Sequence, residues 1–371
     1  MDWRFFRNVL LKALFLFAVL NLLFAAWNPA ALGKISAYNH LFPGRQRFPF
    51  GENPAQAYNL SLFNLDAMFA SHEIAFGSKP ADEYRVVLIG DSSVWGTLLR
   101  PEETLSGLLN AAHLTVCDGR KVRVYNLGYP TISLTKDLLI LAETMRYQPD
   151  LVVWPLTLEA FPTDKQLSSP IVSHNASRVQ ALIQTYNLPF DVNDPLLQRP
   201  TFWDDTIIGQ RRGLADLARL QMYGVLWAAT GVDQVYPADY LRAQTDFDAD
   251  VSFHDQQPPE LDESNLAFDV IEAGIRAAGE TPVLIVNEPM LISTGKNSDL
   301  RYNFFYPHWA YDQYRQTMTE QSQQFGWKYL DLWNIIPATE FTNSAIHMTP
   351  AGEALFAARL SEAIQLEACS K

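Results

Sequence analysis

The sequence predicts an α/β fold, a three-layer doubly wound parallel sheet with an N-terminal transmembrane helix and a helical insertion. Two observations carry this reading. Short apolar, β-branched runs such as Arg85-Val86-Val87-Leu88-Ile89 alternate with longer helix-like stretches, the pattern of parallel strands buried on both faces. Ahead of them lies the apolar run Ala13-Leu14-Phe15-Leu16-Phe17-Ala18-Val19-Leu20, preceded by Arg4, Arg7 and Lys12.

That first segment, counted from Val9 to Trp27, is about 19 residues long, close to the length a helix needs to cross a bilayer. Its basic flank predicts that the start stays cytoplasmic and the rest is exported. Phe24-Ala25-Ala26 resembles a small-residue cleavage site, so a removed signal segment and a buried or interfacial helix are alternatives to an uncleaved anchor. Anchor and signal both place the main domain outside the cytoplasm, periplasmic or extracellular. Residues 31–83 follow as a stalk, with Phe42-Pro43-Gly44 and Phe48-Pro49-Phe50-Gly51 denying long regular elements.

Strand–helix alternation begins at Tyr84. The run to Ile89 ends in Gly90, and acidic residues in Pro101-Glu102-Glu103-Thr104 mark a helix start. A strand is predicted over 121–126, a helix over 134–147 and a strand over 151–154. Later strands fall at 282–287 and 327–332, and a terminal helix at 350–367. The rhythm breaks over about 191–263, an insertion with a long helix predicted over 206–230 and the acidic stretch Asp246-Phe247-Asp248-Ala249-Asp250. Leu214, Leu217, Leu220 and Met222 of that helix read as a core-facing stripe, with a partner or membrane face as the alternative. The chain thus divides into residues 1–30 as anchor or signal, 31–83 as stalk, and 84–371 as one elaborated domain.

Composition bounds the function. A chain of 371 residues with 48% hydrophobic content can bury a full core, and its formal net charge of -13 repels phosphate backbones, which excludes nucleic acid as a natural partner. Cys117 and Cys369 are the only cysteines; they offer no zinc spacing and leave a single bridge as the one pairing open to them. There is no HExxH, no phosphate loop and no dinucleotide fingerprint, so neither metal nor cofactor is expected.

The chemistry-bearing residues lie at strand ends, where doubly wound sheets place their ligands. Ser92 follows the first strand in Gly90-Asp91-Ser92-Ser93-Val94-Trp95-Gly96, a turn that lifts a hydroxyl to the active edge; Asp91 and Ser92 are equally good helix caps. His347 precedes the last helix in Ile346-His347-Met348-Thr349-Pro350-Ala351-Gly352, and a hydroxyl nucleophile needs such a base within reach. Asn287-Glu288-Pro289 falls at another strand end, as substrate contact, carboxylate donor or plain cap. Trp95, Tyr129 and Trp154 sit at the ends of the first three strands, to stack on sugar rings or to be buried.

This pattern resembles the SGNH/GDSL hydrolase superfamily over roughly 84–366 outside the insertion, including its membrane-anchored members associated with envelope and exopolysaccharide O-acylation. Gly90-Asp91-Ser92 is similar to the family's first block, Asn126-Leu127-Gly128 to its second, and His347 with Thr349-Pro350-Ala351-Gly352 to its last. The resemblance implies Ser92 as nucleophile, His347 as general base, and the amides of Ser92 and Gly128 as oxyanion donors. Two departures accompany it. Trp154-Pro155-Leu156-Thr157-Leu158-Glu159 replaces the block carrying the family's oxyanion asparagine, leaving the Thr157 hydroxyl as a candidate donor and Asn287 as another. The aspartate that usually orients the histidine is absent: Ser344 and Asn343 stand three and four residues before His347. Glu340, Asp331, Glu159 or a backbone carbonyl could hold the ring instead.

The activity so implied is that of an extracytoplasmic serine esterase or O-acyltransferase acting through an acyl-Ser92 intermediate on acylated glycan or a small ester, beside a polytopic membrane acyltransferase. The competing expectation is an SGNH-like domain without efficient catalysis, serving as a glycan-binding or assembly subunit of an envelope complex.

Overall fold

A computed structural model describes residues 2–27, 44–50, 63–197, 199–230 and 239–370. Much of the predicted stalk, Phe42 and Pro43 included, lies outside these residues, as do positions 28–30 of the anchor segment. Helix α1 (Trp3–Ala26) is capped by Asp2, and its length and composition suffice to cross a membrane; most of its apolar side chains are exposed.

The elements then run α2 (Leu65–Ser71), β1 (Glu83–Leu88), α3 (Ser92–Trp95), α4 (Leu105–Ala111), β2 (Lys121–Asn126), α5 (Leu134–Thr144), β3 (Leu151–Leu156), α6 (Pro170–His174), α7 (Ala176–Tyr186), α8 (Arg211–Thr230), α9 (Phe268–Ala278), β4 (Val283–Asn287), α10 (His308–Phe325), β5 (Lys328–Asp331) and α11 (Pro350–Cys369). Five strands pair in parallel in the order β2-β1-β3-β4-β5. The order reverses around β1, so the crevice of this doubly wound sheet opens at the carboxyl ends of β1 and β3.

Strand side chains alternate between two cores, as period-two geometry requires. Val87, Ile89, Val152, Trp154 and Ile285 pack beneath α5, α9 and α10, while Val86, Leu88, Val153, Leu284 and Val286 pack beneath α4 and α11. Full burial of each large apolar side chain contributes about 1.5–3 kcal/mol before entropy is counted. Cys117 and Cys369 form a disulfide with a Cα separation of 5.3 Å, tying the turn before β2 to the end of α11.

Two sequence expectations need correction. The helix predicted from 206 begins at Arg211, because Thr206 caps a preceding turn through Gly209 N. Within α8, Leu220 is buried and Leu217 packs on the core, but Met222 points to solvent and leaves the predicted stripe. Of the two fates open to Trp95, Tyr129 and Trp154, burial is the one observed, and all three rings belong to the core.

Candidate active site

The chain leaves β1 through Ile89 and Gly90 and enters α3, where Asp91 is the N-cap and its Oδ1 accepts from Ser93 N at 2.8 Å. Ser92 is therefore the first helical residue, its side chain at the mouth of the crevice and partly exposed. A Cβ on Gly90 would lie 2.6 Å from Val94 Cγ2 and 3.1 Å from Pro155 O, and one on Gly128 would lie 2.5 Å from Trp95 N. Only glycine lets the ends of β1 and β2 approach α3 this closely.

Four groups hold the Ser92 turn from below. Lys136, completely buried in α5, donates from Nζ to Gly90 O at 2.7 Å, Tyr129 O at 3.3 Å and Asp137 Oδ1 at 2.5 Å. Asn126 Nδ2 donates to Val94 O at 2.6 Å. Ser93 Oγ donates to Glu288 Oε2 at the end of β4. From the N-terminal segment, Arg47 Nη1 donates to Gly96 O at 2.8 Å while Trp95 Nε1 donates to Phe48 O at 2.9 Å.

Burial dominates the ionisation of this layer. It raises the Asp91 carboxyl despite the opposing charge of Lys136, lifts Asp137 to about 6, and pushes Glu288 well above the carboxylate range with help from the Asp91 charge. Burial thus favours the neutral form of Glu288, whose Oε1 has no hydrogen-bond partner among the described residues. Glu353 of α11, also buried, is raised to about 8 by desolvation.

The second half of the site is the loop before α11. Thr349 caps that helix by accepting from Gly352 N at 3.2 Å, with Pro350 at its first position. Thr342 N donates to His347 O at 2.8 Å and folds residues 342–347 back on themselves. The fold-back brings Asn343 Oδ1 to 2.8 Å from His347 Nδ1, while His347 Nε2 lies 2.7 Å from Ser92 Oγ. An amide oxygen can only accept, so Nδ1 carries the ring proton and Nε2 presents its lone pair to the serine hydroxyl. Desolvation lowers the His347 pKa to about 4, keeping the ring neutral and basic at pH 7. The arrangement can deprotonate Ser92 as it attacks an acyl carbon.

The other predicted site residues are placed differently. Gly128 N already donates to Asn126 Oδ1 at 3.0 Å, so the structure does not leave that amide free for an oxyanion. Thr157 is buried with Oγ1 3.0 Å from Tyr306 Oη. Asn287 is buried too, donating to Asp331 Oδ1 at 2.8 Å and accepting from Tyr311 Oη at 3.2 Å. Both side chains are engaged within the protein. Ser92 N has no hydrogen-bond partner among the described residues and is, of the two predicted backbone donors, the one left open.

Asn343, not Ser344, orients the histidine. None of the alternative carboxylates does: Glu340 bonds Thr349, Asp331 bonds Asn287 and Arg315, and Glu159 bonds Lys165 and His254. Glu288 serves Ser93. Sequence reasoning missed Lys136 and Arg47. The signal for Lys136 was a lysine inside the run Leu134-Thr135-Lys136-Asp137-Leu138-Leu139-Ile140-Leu141, whose apolar positions leave no polar face to carry it. Among the described residues no group of three or more His, Cys, Asp or Glu side chains is arranged to hold a metal ion.

Part of the insertion borders this loop. Ala243 N donates to Thr342 O at 2.7 Å, and Ser293 Oγ donates to Thr245 O at 2.6 Å, so residues 243–245 lie against the segment that carries Asn343.

No family model matches the chain, and no curated protein is similar to it in sequence. Among solved structures it is similar to a member of the lipolytic protein G-D-S-L family from Veillonella parvula, at 10% identity over 75% of this chain and 96% of that one, with a TM-score of 0.35. It is likewise similar to the aryl esterase of M. smegmatis, at 15% identity over 76% and 98% of the two chains and a TM-score of 0.33. A carbohydrate acetylesterase family member from Sinorhizobium meliloti aligns at 13% identity over 76% and 98%, with a TM-score of 0.32.

Proposed function

We propose that this protein is a membrane-tethered, extracytoplasmic serine esterase or O-acyltransferase of the SGNH type, acting on acylated envelope or extracellular glycan. The observation that carries the reading is the continuous chain Ser92 Oγ, His347 Nε2, His347 Nδ1, Asn343 Oδ1, with contacts of 2.7 and 2.8 Å at its two ends.

The chemistry follows from that chain. His347 Nε2 removes the Ser92 hydroxyl proton as Oγ attacks the ester carbonyl, and the Ser92 amide donates to the developing oxyanion. The imidazolium returns its proton to the departing alkoxide, leaving an acyl-Ser92. Water or a sugar hydroxyl then attacks that ester, with His347 again accepting a proton, to give the free acid or the O-acylated acceptor. Asn343 fixes the tautomer but brings no negative charge to the imidazolium, so each proton transfer has a higher barrier than with an aspartate in its place.

Two observations support the location. Helix α1 has the length and composition of a span, and the Cys117–Cys369 disulfide suits an oxidising compartment better than the cytosol. A polytopic membrane acyltransferase as donor of the acyl group belongs to the same proposal. The rival reading, a glycan-binding or assembly subunit with little catalysis, is favoured by one specific feature, the occupation of the Gly128 amide by Asn126. Release of acetate from an acetylated polysaccharide by the full-length protein, abolished in Ser92→Ala, supports the enzyme. Glycan binding without acetate release, unchanged by Ser92→Ala, selects the subunit.

A further inference from the structure

The outward face of the insertion carries apolar side chains where a solvated surface would be polar. Phe202, Trp203 and Ile208, in the turn before α8, are 47%, 72% and 55% exposed, and Met222 on the helix is 65% exposed. Within α8 the inward positions are Leu217, Leu220 and Gly224, at helical spacing. The opposite stripe, Arg211, Ala215, Ala218 and Met222, is exposed and becomes apolar beyond its first residue. In a chain with a formal net charge of -13, this helix holds Arg211, Arg212 and Arg219 against the single acid Asp216. An exposed apolar stripe with arginines beside it is the make-up of a helix lying in the headgroup region of a bilayer.

A second, independent observation says what covers this face. Asn21 of α1 is nearly buried, and its Oδ1 accepts from Ile208 N at 3.3 Å. Asn21 is five residues from the end of α1 at Ala26, about 7–8 Å along the helix axis. The Ile208 turn and the start of α8 therefore sit at the depth where a span by α1 would leave the hydrocarbon for the headgroups. Tryptophan settles at that boundary, and arginine can lay its stem along apolar surface while its charged head reaches the headgroups.

We infer that the 202–222 surface seats on the outer leaflet of the same bilayer that α1 crosses, with Phe202, Trp203, Ile208 and Met222 at the headgroup–acyl boundary and Arg211, Arg212 and Arg219 toward lipid phosphates. The inference rests on the reading of α1 as a membrane anchor. It makes the catalytic domain a body resting on the membrane instead of one swinging on a stalk.

The test uses the full-length chain in vesicles of phosphatidylcholine and phosphatidylglycerol, with single cysteines added at Trp203, Met222, Leu20 and Arg359 and labelled with an environment-sensitive fluorophore. Lipids carrying a nitroxide on the acyl chain are the quencher. The expected result is loss of fluorescence at Trp203→Cys and Met222→Cys, as at Leu20→Cys within α1, and none at Arg359→Cys on the far helix α11. Quenching at Leu20→Cys with none at positions 203 and 222 overturns the seating while leaving the anchor intact, and assigns the face to a protein partner. No quenching at Leu20→Cys overturns the anchor reading and the seating with it.

Discussion

The two halves of the site are built in opposite ways. The nucleophile turn rests on buried groups from four separate parts of the chain, with Lys136, Asn126, Glu288 and Arg47 each bonded to it. The histidine half is a short loop at the surface, where a single exposed amide, Asn343, sets the ring. Position is thus over-determined on one side and supplied by one neutral contact on the other. The difference places stability in the first half and adjustable rate in the second, since buried polar networks are costly to break and exposed loops tolerate change.

The most damaging change expected is Lys136→Met, which leaves the buried Asp137 and Asp91 without their cation. Breaking such a pair costs about 3–5 kcal/mol, read as a lowered midpoint in denaturant unfolding; an unchanged midpoint would mean the turn does not depend on its buried lysine. Asn343→Ala tests the other half and should do the reverse. Stability is expected to stay within about 0.5 kcal/mol because the residue is exposed, while kcat on an aryl acetate falls about 10²-fold or more as the ring loses its tautomer and orientation. Equal turnover would show that something else orients His347.

Asn343→Asp sharpens the contrast by supplying the absent charge. It is expected to raise kcat about tenfold, equivalent to about 1.4 kcal/mol of transition-state stabilisation. The pH profile gives the sign independently. His347 is held near 4 by desolvation, below its ordinary value, so the wild-type base stays unprotonated and active through pH 5–6 and fails only as pH falls toward 4. An aspartate at 343 favours the imidazolium and moves that acid limb toward neutral pH. The same depressed value makes His347 contribute stability above pH 6.5 that is lost as pH falls toward 4, since the unfolded chain then binds the extra proton. The smallest effect expected is that of Glu288→Gln. Burial favours the neutral carboxyl, so exchange for an amide is expected to cost below about 1 kcal/mol, whereas Glu288→Ala leaves Ser93 Oγ unpaired and costs about 1–3 kcal/mol. A large loss in Glu288→Gln would mean the carboxyl is ionised.

The same division describes what the sequence made legible. Strands β1, β3 and β4 were readable because a strand buried on both faces leaves an apolar run, β2 and β5, which carry exposed or half-buried positions, read through their place in the strand–helix alternation, and Ser92 and His347 were readable because one follows the first strand and the other precedes the last helix. Asn343 was within reach through its spacing of four from His347, though the spacing alone did not separate it from Ser344. Lys136, Arg47 and the pairing of Ser93 with Glu288 depend on contacts between residues 46 to 195 positions apart, which no local pattern encodes. The internal partners of Gly128 and Asn287 were hidden for a related reason. Their neighbours Asn126, Asp331 and Tyr311 satisfy them first, and that competition exists only once the strands are side by side.

Activation of Ser92 for covalent acyl transfer is what the Ser92–His347–Asn343 chain is proposed to supply. A fluorophosphonate reporter applied at pH 7 to the folded full-length protein tests it most directly, with peptide mass mapping of the adduct. The expected result is a single adduct on Ser92, absent in Ser92→Ala and strongly reduced in His347→Ala. Folded wild-type protein that takes up no reporter, or labelling that persists in Ser92→Ala, would contradict it.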